Sequence, residues 1–207
     1  MIDLANRQIW MFREPRSGST GLTTALSTLL NKRFLFVENK KDIIYDSSVL
    51  INTHHFMFLH AVKEEHNPIL LRCTRRNRTE QMLSSKTLAL TRKDIKLYNI
   101  EDHTTPEQLE EFNTYLKKNN KSISKLDVFK FAMEKKTENF LWDKLASKFD
   151  NHVFYYEDLT NNIDIPILGM YNINLEIDKY TKKIPEYKKE FYTNYDSVKE
   201  WIDKCSI

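Results

Sequence analysis

Gln8-Ile9-Trp10-Met11-Phe12 runs into Arg13-Glu14-Pro15-Arg16-Ser17-Gly18-Ser19-Thr20, and then into Gly21-Leu22-Thr23-Thr24-Ala25-Leu26-Ser27-Thr28-Leu29-Leu30. The first five residues form a short apolar run of strand formers, the pattern of a buried strand. In the last segment Leu22, Ala25, Leu26, Leu29 and Leu30 recur at helical spacing and share one face. Between the two lies a loop of small and polar residues. Strand, loop and helix in this order present unpaired backbone N–H groups to an anion, and the helix dipole adds favourable potential at the same point. Gly18 allows close backbone approach, Ser19 and Thr20 add hydroxyl donors, and Arg16 adds a permanent positive charge. The chain has only three glycines, and Gly18 and Gly21 are two of them. Neither GxxxxGK[ST] nor GxGxxG occurs.

Outward from this turn, further strands are expected at residues 34–37 (FLFV), 49–53 (VLINT), 69–73 (ILLRC, after the Asn67-Pro68 turn) and 152–156 (HVFYY, after a turn at Asp150-Asn151). Residues 79–90 read as a helix. Thr105-Pro106-Glu107-Gln108 has the capping residues of a second helix start, running to about Lys118. Ser124 opens a longer helix to about Phe149, whose buried side is expected from Leu126, Phe129, Met133, Phe140, Leu141 and Leu145. A last helix is expected near residues 197–204. Alternating strands and helices imply an α/β fold, a three-layer sandwich with a mainly parallel central sheet. At 207 residues, with no repeat and no linker, one domain spanning 1–207 is expected.

Composition narrows the class. Only Cys73 and Cys205 occur, so a disulfide scaffold is excluded and a reducing compartment is expected. No basic and apolar leader is visible, and no apolar run approaches the roughly 20 residues that span a bilayer. A cytoplasmic protein without a membrane partner is therefore expected. The six histidines and two cysteines show no metal-ligand spacing, so no metal is expected. Residues 1–100 hold 16 Lys+Arg against 9 Asp+Glu, and residues 101–207 hold 16 against 20. All nine arginines fall at or before Arg92, and six sit in two stretches, Arg13 and Arg16, then Arg72, Arg75, Arg76 and Arg78. A guanidinium fork matches phosphate and sulfate oxygens, so the N-terminal half is expected to hold an anionic ligand. The arginines fall at strand ends without a series of stacking aromatics, and nucleic acid is not the expected partner.

The PRSGST loop after a strand resembles the 5′-phosphosulfate loop of the sulfotransferase family, whose donor is 3′-phosphoadenosine 5′-phosphosulfate. Arg72-Cys73-Thr74-Arg75-Arg76-Asn77-Arg78-Thr79-Glu80-Gln81-Met82-Leu83-Ser84 is similar to that family's 3′-phosphate segment, an Arg at a strand end with a Ser eight residues later. Arg76 and Ser84 have this spacing, and Arg75 is the alternative one residue off. Val49-Leu50-Ile51-Asn52-Thr53-His54 resembles the strand ending in the catalytic Thr-His pair, with Asn52 where a Lys is common. Tyr156-Glu157-Asp158-Leu159 resembles a late Tyr-Glu-Asp-Leu signature. Together these segments cover about half the chain. The resemblance implies a P-loop-NTPase-like sulfotransferase fold. It also implies that Arg16, Ser17, Gly18, Ser19, Thr20, Arg75 or Arg76, and Ser84 bind the donor. Residues 91–125 would then form an acceptor-side lid.

Sulfuryl transfer depends on positioning and on stabilising charge at the leaving oxygen. Arg16 can stabilise that charge but cannot donate a proton. An acceptor hydroxyl or amine must lose a proton, and His54 is the candidate base, since an unperturbed imidazole is suited to that task at neutral pH. Glu38 is the other candidate base, because some sulfotransferases use a glutamate from that region. A small-molecule, carbohydrate or lipid acceptor remains open, as does completion of the short chain by a second subunit in a homodimer. Two other classes compete. A P-loop-type phosphotransferase lacks its Lys after the loop glycine here, and a non-catalytic nucleotide- or nucleic-acid-binding protein would need only the basic half.

Overall fold

The computed structural model describes residues 7–14, 19–94, 114–115, 118–119, 121–159, 162–174 and 191–207, with the backbone alone at 19, 20, 88 and 90–94. They fall into two compact units, one from the stretches 1–76 and 137–181 and the other from 77–136 and 182–207.

The first unit is built on five strands, β1 (Ile9–Arg13), β2 (Arg33–Phe36), β3 (Val49–Thr53), β4 (Ile69–Thr74) and β5 (Asp150–Tyr155), in the order β2-β3-β1-β4-β5. Every pairing is parallel, and the register sets Phe12 beside Thr53 and Arg72, Arg13 beside Cys73, and Thr74 beside Tyr155. The three interior strands are almost wholly buried, which their continuous apolar runs require. The edge strands β2 and β5 are more exposed, and β5 carries more polar residues. β5 starts at Asp150, so the Asp150-Asn151 pair expected as a turn lies in the strand. There Asn151 spends its side-chain amide on the Ala146 and Phe149 carbonyls, at 3.1 and 3.0 Å.

Alternation divides the sheet side chains between two layers. Ile9, Met11, Leu50, Ile69, Leu71 and Cys73 pack against Leu22, Ala25 and Leu26 of helix α1 (Ser19–Leu29), and against the antiparallel pair β6 (Asn162–Ile165) and β7 (Met170–Asn174). Trp10, Phe12, Val49, Ile51 and Leu70 pack on the other side against Phe56 and Leu59, and against Leu141, Trp142 and Ala146 at and just beyond the end of a long helix. Leu29, expected on the buried face of α1, is 43% exposed, while Leu26 is buried and Leu30 packs partly buried on the same core. The chain leaving β1 thus runs on one face, and the chain leaving β3 runs on the opposite one. Their parting beside β1 is the topological switch point at which open α/β sheets receive ligands.

In the second unit, α2 (Arg78–Asp94) starts on Asn77, whose Oδ1 accepts from the Glu80 backbone N–H at 3.0 Å. Helix α3 (Lys125–Leu145) starts on Ser124, whose Oγ accepts from Asp127 N–H at 3.1 Å. Lys86 reaches the Asp127 carboxylate at 2.7 Å, and that ion pair, with Ser124, holds the carboxyl below its ordinary range. Met82, Leu83, Val128, Phe191 and Tyr192 form the core of this unit with Val198 and Ile202 of α4 (Tyr195–Lys204).

The expected buried side of α3 holds at Leu141, which is buried, and at Leu145, which packs partly buried on the core, and fails over the rest of the helix. Leu126, Phe129, Met133 and Phe140 are about half or more exposed, while Val128, Ala132, Lys135, Glu138, Leu141 and Trp142 are buried. The helix start expected at Thr105-Pro106 and most of the 91–125 lid lie outside the described residues. No helix among the described residues is long and apolar enough to cross a membrane.

Candidate functional site

Parallel strands end together, so one edge of the sheet collects whatever follows each strand. In spatial order these are Phe36 to Glu38 at the end of β2, Thr53 and His54 at the end of β3, and Arg13 and Glu14 at the end of β1. Thr74 to Arg76 stand at the end of β4, and Tyr155 to Asp158 at the end of β5. This edge belongs entirely to the first unit.

At the end of β1, Glu14 is fully buried and its N–H donates to the Cys73 carbonyl at 3.0 Å. Its Oε1 accepts from Arg72 Nε (3.2 Å) and Nη2 (2.5 Å) and from the Thr74 hydroxyl (2.6 Å). Arg72 also donates to Asn139 Oδ1 at 2.6 Å, and its guanidinium lies 5.0 Å from the Phe56 ring centre and 5.7 Å from that of Trp142. A buried charge with this many partners is a structural clamp. Arg72, grouped by sequence with the anion-binding arginines, is committed to Glu14.

Three neighbouring strand ends meet at Phe36. The Arg13 guanidinium stacks 4.6 Å from its ring centre, and the His54 imidazole meets the same ring edge-on at 5.6 Å. His54 Nδ1 lies 3.1 Å from the Arg13 carbonyl oxygen. A carbonyl can only accept, so Nδ1 carries the proton, and in the neutral ring the lone pair is on Nε2. The neighbouring His55 is exposed and packs on Phe58, so the two rings, both just past the end of β3, have different partners. Glu38 is exposed, just past β2.

On the other side of β1, the ends of β4 and β5 match residue for residue. Arg76 donates through both terminal nitrogens to the two oxygens of Asp158, and its guanidinium lies 4.1 Å from the Tyr155 ring centre. The pairing holds the Asp158 carboxyl below its usual range and the Arg76 guanidinium above its own. Arg75 lies 4.5 Å from the Tyr156 ring centre. Its Nε sits 3.6 Å from Glu157 Oε1, too far for a hydrogen bond, and is buried with no hydrogen-bond partner. Glu157 Oε2 accepts from the Arg76 backbone N–H at 3.0 Å.

The sequence-derived site residues therefore divide. His54, Glu38, Arg75 and Arg76 stand at one edge of one sheet. Ser19 and Thr20 form the first residues of α1, and Arg16, Ser17 and Gly18 lie outside the described residues. Ser84 is buried on α2 in the second unit. Phe36 and the Glu14–Arg72 clamp were missed, while Arg13 was grouped with the anion-binding arginines without a place in the site.

By fold the protein is of the α/β class with a five-stranded parallel central sheet. Compared with protein-family models the chain matches none, and compared with curated proteins it matches none.

Proposed function

We propose that the protein is a sulfotransferase that moves a sulfuryl group from 3′-phosphoadenosine 5′-phosphosulfate to a hydroxyl or amine acceptor. The observation that carries this reading is the clustering of Arg13, His54, Arg75 and Arg76 at the carboxyl edge of one parallel sheet, around the strand that feeds the PRSGST loop. A donor with phosphates at two positions needs two separate cationic groups. The loop with Arg16 is one, and the end of β4 is the other. The Arg75 guanidinium, stacked on Tyr156 and paired with Glu157, supports the second by fixing a cation beside Arg76 at the end of β4.

In the reaction the acceptor oxygen or nitrogen bonds to sulfur as the bond from sulfur to the bridging phosphate oxygen breaks. Arg16 offsets the charge that grows on that oxygen. The acceptor proton passes to Nε2 of His54, whose ring is held by the Nδ1 contact to Arg13. Glu38 is the second candidate base. Ser84 enters by its spacing from Arg76 alone.

Calorimetric titration with 3′-phosphoadenosine 5′-phosphate tests the reading. Saturable one-to-one binding is expected, and no heat at high micromolar ligand would refute it. Arg16→Ala should weaken binding by roughly 1.5–3 kcal/mol, the worth of a hydrogen bond to a charged group.

A further inference from the structure

The guanidinium groups of Arg75 and Arg76 face carboxylates already in place. Resting on the donor-site reading above, we propose that Glu157 and Asp158 form a counter-anion latch. They hold these arginines while the site is empty, and Asp158 yields Arg76 to the nucleotide's 3′-phosphate on binding.

The pairing has the geometry for exchange. Tyr155 and Tyr156 support the flat faces of the two guanidinium groups, which leaves their edges to choose an anion. Carboxylate and phosphate both accept the same two-pronged donation, so Arg76 can change partner without leaving its ring. Arg76 and Asp158 are 52% and 57% exposed, so swinging the carboxylate away uncovers no buried charge. Exposed pairs of this kind are weak. A phosphate monoester carries close to two charges against the carboxylate's one, which favours the exchange. Glu157 is the fixed half, because it also accepts from the Arg76 backbone N–H. The latch makes the 3′-phosphate compete for its site, and the return of Asp158 assists release of the desulfated nucleotide.

The test is calorimetry on the full chain with 3′-phosphoadenosine 5′-phosphate, using adenosine 5′-phosphate as the ligand without a 3′-phosphate. Asp158→Asn should bind the bisphosphate about threefold to fivefold more tightly, the range an exposed pair's strength sets. Its affinity for adenosine 5′-phosphate should be unchanged, and the gain should vanish when Arg76→Ala is added. If the wild type binds and Asp158→Asn binds no better, or gains equally for both nucleotides, the latch falls and the donor site stands. If neither binds, both readings fall. Asp158→Ser serves as the second variant should Asp158→Asn not fold.

Discussion

Glu14 shows how a single residue can anchor a site without taking part in its chemistry. It is the last described residue before the PRSGST loop, and three donors from β4 close on one of its oxygens. Glu14→Ala would leave Arg72 buried between Phe56 and Trp142 with its main counter-ion gone. Losing one member of such a pair costs about 3–5 kcal/mol. The urea midpoint should fall accordingly at an unchanged slope, and a loss below about 1 kcal/mol would mean that Arg72 finds another acceptor. The clamp was not legible in the sequence, because its partners lie 58 residues apart and meet only through the β1–β4 register. The anion-binding character of the loop was legible, because small residues, Arg16 and the helix start are contiguous.

At the scale of elements, interior strands declared themselves because both their faces are covered and their apolar runs are continuous. Helix α3 did not. Its sequence carries two stripes at helical spacing, and the more apolar one, Leu126-Phe129-Met133-Phe140, is the exposed one. The buried stripe includes Lys135 and Glu138, so hydropathy pointed to the wrong face over most of the helix and to the right one only at its end, at Leu141 and Leu145. Trp142→Ala should then cost about 3–5 kcal/mol, as loss of a large core side chain does, whereas Phe129→Ser should stay within about 0.5 kcal/mol. Denaturant titration of the two variants decides between the faces. In the second unit, the Tyr192 hydroxyl links to α2 through Thr87 Oγ1 at 2.9 Å and the Leu83 carbonyl at 3.2 Å. Burial pushes it from the ordinary 10 up to about 12. The folded state therefore favours the protonated phenol. That contribution is whole below pH 10 and is lost as the pH climbs through about 12. Between those values wild type should lose roughly 2 kcal/mol more than Tyr192→Phe. Equal losses would mean that the phenol ionises as readily folded as unfolded.

For the molecule as a whole, the parallel sheet sorts arginines by edge. Arg7 stands at the amino edge, where it donates to the Asn67 and Pro68 carbonyls at 2.8 and 3.3 Å and pairs with Asp150 at 2.7 Å. Arg13, Arg75 and Arg76 stand at the carboxyl edge. Clustering of arginines in the sequence set Arg7 apart but could not separate Arg72, committed to Glu14, from Arg75 and Arg76, since a side chain's partners depend on strand direction and register. The sorting predicts a crossed outcome in thermal unfolding with and without 3′-phosphoadenosine 5′-phosphate. A ligand at a hundredfold excess over its Kd adds about 2.7 kcal/mol, or roughly 5–10 °C in Tm for a chain of this size. Arg7→Ala should lower Tm without ligand and keep the full ligand-induced rise. Arg76→Ala should leave the ligand-free Tm nearly unchanged, since its partner is an exposed carboxylate. Its rise should shrink by about 1.4 kcal/mol, or roughly 3–5 °C, for each tenfold of affinity lost. A rise reduced equally in both variants would mean that the nucleotide responds to overall charge rather than to the carboxyl edge.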